Sequence, residues 1–366
     1  MRNNKYSDLK IVGFPEKLQS FRDGRITAPI YVRLKPINRC NHDCYFCVYS
    51  QSNRKEIPTT DAGLEHVVSK MHEDMNEADV IPTAKMLEVL EDFKEMGVRA
   101  VTYSGGGEPL MHRDIVSFMQ RTLDYGIDLS IITNGQLLRG ERAALLSHAK
   151  WVRVSVDYTT AKQMALSRRV PERMFYDIID NLRAFTKIKE PGCDLAINYI
   201  IHRKNCHELV AFARVLKDCG VMNVRFSPMW IPNFRNYHAP IKDMVAAQLH
   251  EAQELVDDTF TVNSTFDLDS SAHSPERAYT RCFFMQTVPV VGADQKVYAC
   301  HNKAYDHTGC IGSIADKRFK ELWFSDEAKR FFETLNPQEA CRHQCANDSK
   351  NRNIMNLITA SLDNFI

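Results

Sequence analysis

The sequence predicts an α/β fold, a partial TIM-like (β/α)6 barrel with a small C-terminal domain, and three observations carry that expectation. Short β-branched runs alternate with helix-period segments through the first two-thirds of the chain, the rhythm fades near Asn233, and cysteines cluster beyond it. Strands alternating with helices of this size give a parallel sheet with right-handed crossovers, and six such units suit a curved, partly open barrel.

In chain order the candidate strands are Ile30 to Lys35, Ala100 to Ser104, Asp128 to Thr133, Trp151 to Val156, Leu195 to Ile201 and Asn223 to Pro228. Helices lie between them. In Ala84 to Met96, Met86, Leu90, Phe93 and Met96 recur at helical spacing, and Glu172 to Phe185 reads the same way. The connection from Val48 to Pro82 is long, with patchy helical character around Leu64 to Met75. Residues 1–27 read as an N-terminal extension, 28–235 as the barrel, 236–275 as a linker with a helical stretch from Ile241 to Asp258, and 276–366 as the C-terminal domain and tail.

A formal charge of +1 over 366 residues excludes a global field for nucleic acid or an anionic membrane. No stretch approaches the roughly 18 apolar residues of a transmembrane helix, and the N-terminus lacks an apolar signal region, so the expected location is cytoplasmic. Reduced thiols in that compartment make the eleven cysteines a question of metal rather than disulfides.

The first candidate strand runs into Cys40, Cys44 and Cys47, spaced C-x3-C-x2-C. Three thiolates this close can wrap a cube of iron and sulfide, and leave one iron open where an electron-transfer cluster takes four. A zinc knuckle completed by His42 is the alternative. The next strand ends in Gly105, Gly106, Gly107 and Glu108, where glycines let a ligand approach exposed backbone. In the tail, 17 residues separate Cys282 from Cys300, as suits a β-hairpin turning at Gly292 to Asp294; a helix Phe319 to Leu335 and the C-x3-C pair Cys341 and Cys345 follow. Four thiolates from separated elements can close around a complete cluster. A zinc ribbon is the alternative for the tail, and Cys310 is either a ligand in place of one of these four or a buried packing residue; Cys193, Cys206 and Cys219 read as packing residues.

The cysteine spacing, Phe46 before the last cysteine and the Gly-rich strand end resemble the radical S-adenosylmethionine (SAM) superfamily, and the tail resembles its twitch or SPASM-type auxiliary modules, over roughly residues 28 to 345. The resemblance implies a SAM-binding 4Fe-4S cluster on Cys40, Cys44 and Cys47, and an auxiliary 4Fe-4S cluster on Cys282, Cys300, Cys341 and Cys345. It implies SAM contacts from Phe46, Gly105 to Glu108, Ser155 and either Arg168 or Arg169. It further implies an electron donor such as flavodoxin or ferredoxin, and an oxidoreductase that abstracts hydrogen with a 5′-deoxyadenosyl radical and uses the auxiliary cluster for a dehydrogenase-like, two-electron oxidation.

Peptide-maturing members often carry an N-terminal leader-binding domain, and Cys40 comes too early for one here. A small polar, sugar- or aminocyclitol-like substrate is therefore expected, with a peptide side chain as the alternative and an iron–sulfur sensor as a non-enzymatic third. Asp157, Tyr199, His202 and Arg225 lie near strand ends without a pattern that names a general base.

Overall fold

The structure is a computed structural model that describes residues 7–50, 72–231 and 234–360. Its spine is one sheet of ten strands: β1 (Tyr31–Leu34), β2 (Ala100–Tyr103), β3 (Asp128–Thr133), β4 (Trp151–Ser155), β5 (Asp194–Ile201), β6 (Asn223–Pro228), β7 (Thr261–Ser264), β8 (Val290–Val291), β9 (Lys296–Tyr298) and β10 (Cys310–Ser313). The spatial order is β10-β9-β8-β1-β2-β3-β4-β5-β6-β7. Strands β1 to β7 pair in parallel, β8 joins β1 in parallel, and β8, β9 and β10 form an antiparallel meander. The cysteine-rich domain thus extends the barrel's own sheet.

Side chains alternate across each strand. One face, with Val32, Leu34, Val101, Ile131, Val152, Val154, Ile197 and Phe226, packs into the apolar core with Met86, Leu90, Phe93, Phe118, Leu182 and Phe212 of the helices. Full burial of each large side chain contributes about 2 kcal/mol. The helix Thr83–Met96 shows how sequence sets an element. Its buried face is Met86, Val89, Leu90 and Phe93, and Gly97 ends it at φ +75°, a left-handed conformation that glycine adopts without a Cβ penalty. The opposite face of the sheet is polar, and the site lies there.

Several expectations are corrected. The parallel sheet does not stop at six strands: β7 lies inside the interval read as a linker, after a helix Lys242–Gln253 shorter than the Ile241 to Asp258 stretch. The expected helix Phe319 to Leu335 is two helices, Phe319–Trp323 and Asp326–Thr334, because the Ser325 hydroxyl accepts from the Ala328 N–H and caps a new start. The helical character expected around Leu64 to Met75 falls largely outside the described residues, and Met75 itself lies in no helix.

The C-terminal segment is fastened to the barrel at several points. Arg318 pairs with the buried Asp92 at 2.8 Å, and Phe319 meets Phe93 edge-on with ring centres 5.0 Å apart. Arg22 donates to the carbonyls of Leu357 (2.6 Å) and Ile358 (3.3 Å), capping the C-terminal helix Asp348–Thr359. No described helix is long and apolar enough to cross a membrane.

Candidate active site

The chain leaves β1 through Lys35 and enters the cysteine loop at the C-terminal edge of the sheet. Cys40 is exposed, Cys44 buried and Cys47 half-buried. Two glycines of the next strand end fit against this loop so closely that no side chain is tolerated. A Cβ on Gly106 would stand 2.1 Å from Asn38 Oδ1, and one on Gly107 would stand 2.0 Å from the Arg39 carbonyl oxygen. The Gly107 and Glu108 N–H groups donate to the carbonyls of Ile37 (3.1 Å) and Arg39 (3.0 Å), so the two motifs form one unit.

Glu108 points inward and is wholly buried. It accepts from the Asn134 N–H (2.8 Å), the Thr133 hydroxyl (2.7 Å) and the Leu110 N–H (3.1 Å). Burial outweighs these donors and lifts its carboxyl to about 7. The folded chain therefore holds this proton more tightly than the unfolded one, so its contribution to stability is present below about 4.5 and is lost as pH rises through about 7. Replacing Glu108 with Gln turns an amide N–H toward the Leu110 N–H, and a loss of about 1–3 kcal/mol is expected in denaturant unfolding. The gap from wild type should widen as pH falls from 7 toward 5, because only the acid gains a proton.

Arg168, the last residue of the helix Ala161–Arg168, is the cation of the site. One guanidinium nitrogen lies 2.9 Å from Cys44 Sγ and another 2.5 Å from Asp157 Oδ1, with the Ser155 carbonyl at 3.4 Å. Its guanidinium carbon is 5.2 Å from the Phe46 ring centre. Burial pushes the Cys44 thiol up to about 12, against the pull of Arg168. Arg169 turns away at φ +51° and pairs with Asp43 at 2.9 Å near the surface. Of the two arginines left open by sequence, Arg168 enters the site.

Two neighbours escaped the sequence reading. Asn134 holds the loop through Asn41 Oδ1 at 2.7 Å, with Cys40 Sγ at 3.9 Å. Lys35 is fully buried, donating to the Gly105 carbonyl (2.5 Å) and the Tyr49 hydroxyl (3.0 Å), its ammonium 4.2 Å from the Tyr49 ring centre. Burial drives its pKa well below the ordinary lysine range. Strand alternation was the available signal, since Lys35 falls on the face of Tyr31 and Arg33. Of the general-base candidates, Asp157 is committed to Arg168 and the Tyr199 hydroxyl to the Asn205 carbonyl at 3.1 Å.

The second cysteine set gathers Cys282, Cys300, Cys341 and Cys345, all half-buried. Burial and the other three thiols together drive Cys282 well above its ordinary value, and burial lifts Cys300, Cys341 and Cys345 to about 11 each. A buried ion pair, Arg277 with Asp348 at 2.8 Å, secures the last two, because Arg277 also donates to the His343 carbonyl at 2.7 Å. Cys310 packs instead against the cluster of Tyr49, Tyr298 and Tyr305. Cys193, Cys206 and Cys219 lie in the main core.

Between the two sets, the Tyr49 hydroxyl lies 3.5 Å from His301 Nε2, and Tyr305, at φ +56°, donates to Asn38 Oδ1 at 2.5 Å. Among the described residues no three His, Cys, Asp or Glu side chains converge as a single metal ion requires. Within each set the thiols press one another's pKa upward, a closeness that suits ligands of a common iron–sulfur cube.

The family model of the radical SAM superfamily matches residues 34–216, half the chain and the span of both strand-end motifs. The chain belongs to the radical SAM superfamily. A second model, an iron–sulfur cluster-binding domain called SPASM, matches residues 282–346, spanning the second cysteine set. Radical SAM chemistry brings a 4Fe-4S cluster and SAM, and the SPASM domain brings further iron–sulfur.

Among curated proteins, the chain is 25% identical over 235 residues to the PqqA peptide cyclase of Bradyrhizobium diazoefficiens, covering 63% of this chain and 54% of the relative. It is 35% identical over 194 residues to a probable GTP 3′,8-cyclase of Methanothermobacter thermautotrophicus, covering 52% and 55%. The chain thus spans about half the length of these curated relatives. Among solved structures, Streptococcus suis SuiB bound to SAM superposes with a TM-score of 0.61 at 13% identity, covering 86% of this chain and 70% of that one, a likeness of fold.

Proposed function

We propose that this radical SAM enzyme oxidises a polar substrate held against the concave face of the sheet, in a net two-electron reaction. The observation that carries the reading is that Tyr49, bonded to Lys35 and 3.5 Å from His301 Nε2, lies near Cys47 of the first set and Cys300 of the second. Cys40, Cys44 and Cys47 would hold a cluster that with SAM would supply hydrogen-abstracting radical chemistry, and Cys282, Cys300, Cys341 and Cys345 would hold one that would supply an acceptor for the remaining electron. The chain's residues do the rest. Gly105 to Glu108 and Phe46 would contact SAM, and Arg168, with the Ser155 carbonyl beside it, sets charge at Cys44. Buried Lys35 and Tyr49 keep the space between the cysteine sets structured and dry.

A sugar- or aminocyclitol-like substrate fits so polar a face. A peptide side chain is the second reading, favoured by the likeness to PqqA peptide cyclase and by SuiB, which is also solved with its precursor peptide SuiA. The test is iron and acid-labile sulfide per chain after anaerobic reconstitution, with dithionite-driven SAM cleavage on the same sample. About eight irons with 5′-deoxyadenosine formed is the expected result. About four irons with cleavage would remove the second cluster and with it the oxidative step, and zinc without cleavage would sink the proposal.

A further inference from the structure

We infer that Lys35 is a positioning residue for SAM: by bonding the Gly105 carbonyl it locks the peptide between Gly105 and Gly106 in one of the two orientations that its flanking glycines allow. The inference rests on the proposed contact of Gly105 to Glu108 with SAM, and does not depend on the substrate or on the second cysteine set.

Local rules put Lys35 where it is. Its own N–H donates to the Val291 carbonyl at 2.9 Å, and the Ser104 N–H donates to the Leu34 carbonyl at 2.8 Å, so the chain leaves β1 held on both sides. Pro36 follows, and a residue before proline is restricted to extended backbone. The side chain is wholly buried. Its Nζ donates to the Gly105 carbonyl at 2.5 Å and to the Tyr49 hydroxyl at 3.0 Å, and the ring centres of Tyr49 and Tyr305 lie 4.2 and 5.7 Å away. Tyr305 is fixed in turn, because its hydroxyl donates to Asn38 Oδ1 and accepts from the Ala293 N–H at 3.1 Å. Two acceptors and two aromatic walls thus define the place of one nitrogen.

The Gly-rich loop requires such an anchor. The N–H groups of Gly107 and Glu108 are committed to the Ile37 and Arg39 carbonyls, which fixes the far end of the loop. The Gly105–Gly106 peptide has glycine on each side, and without a Cβ both of its orientations are sterically open. No larger residue could stiffen it, since a Cβ on Gly105 would stand 1.6 Å from the Gly107 carbonyl oxygen. The bond from Lys35 selects the orientation instead. A trans peptide is planar with its N–H opposed to its C=O, so holding the Gly105 carbonyl toward Lys35 turns the Gly106 N–H the other way. That N–H makes no hydrogen bond among the described residues, and it is the donor left for bound SAM. A flipped peptide would aim this N–H at Lys35 and present a carbonyl in its place.

The test is SAM titrated calorimetrically into the anaerobically reconstituted enzyme and into Lys35→Met, which keeps the length of the side chain and removes the donor. Lys35→Met is expected to bind SAM about tenfold more weakly, and Lys35→Arg, which restores a donor, to recover part of the loss. Iron and acid-labile sulfide equal to wild type show that a variant is folded and loaded. Lys35→Gln, whose shorter side chain stops short of the Gly105 carbonyl, is expected to weaken SAM binding as much and decides the matter if Lys35→Met does not load. A purely structural role would lower stability and leave the SAM affinity of the loaded protein unchanged. Loaded variants that bind SAM as tightly as wild type would therefore overturn the inference and leave the proposed function standing. A wild-type enzyme that binds no SAM would overturn the proposed function and the inference with it.

Discussion

Changing Cys40, Cys44 and Cys47 together to Ala is expected to abolish 5′-deoxyadenosine formation while leaving about four irons per chain. The two cysteine sets hang on separate supports. The first depends on the fit of Gly106 and Gly107 against Asn38 and Arg39, and the second on the Arg277–Asp348 pair and the hairpin β8–β9. Removing the three thiols of the Cys40 to Cys47 loop leaves the second support in place. Iron analysis and dithionite-driven SAM cleavage on one sample read both halves of the expectation. Loss of all iron would mean that Cys282, Cys300, Cys341 and Cys345 hold no cluster. Retained cleavage would mean that the open-iron site lies elsewhere.

What was legible in the sequence follows from how locally each feature is encoded. Six of the parallel strands are apolar, β-branched runs, and the cysteine spacings are fixed within a few residues. Strand β7 reads Thr-Val-Asn-Ser and buries little, so its membership in the sheet comes from pairing with β6 and from no pattern of its own. The choice between Arg168 and Arg169 depends on where the helix Ala161–Arg168 stops: the left-handed turn at Arg169 sends adjacent side chains in opposite directions. The bond from Tyr305 to Asn38 spans 267 residues and has no sequence signature. The inward placement of Lys35 and Arg225 was available in the alternation. It gains meaning only once the parallel register puts β1 and β6 on one concave face.

Arg168→Leu is expected to cost about 3–5 kcal/mol of stability, because it strands the Asp157 carboxylate in the interior. Burial already pushes the Asp157 carboxyl up and Arg168 holds it down, so the variant's carboxyl should rise further and the variant should lose stability as pH rises. Denaturant unfolding at two pH values measures this. A purely structural role would end there, and removing both charges in Arg168→Leu/Asp157→Leu should recover much of the loss, since a buried pair contributes little net stability. The guanidinium also donates to Cys44 Sγ at 2.9 Å, and hydrogen bonds to a cluster's sulfurs raise its reduction potential. The double variant should therefore regain stability yet keep a lowered midpoint potential for the first cluster, read by electron paramagnetic resonance during a redox titration. Arg168→Lys, which keeps the charge without the fork, should fall between. A potential that returns to wild type with stability would reduce Arg168 to a packing and charge-balancing residue.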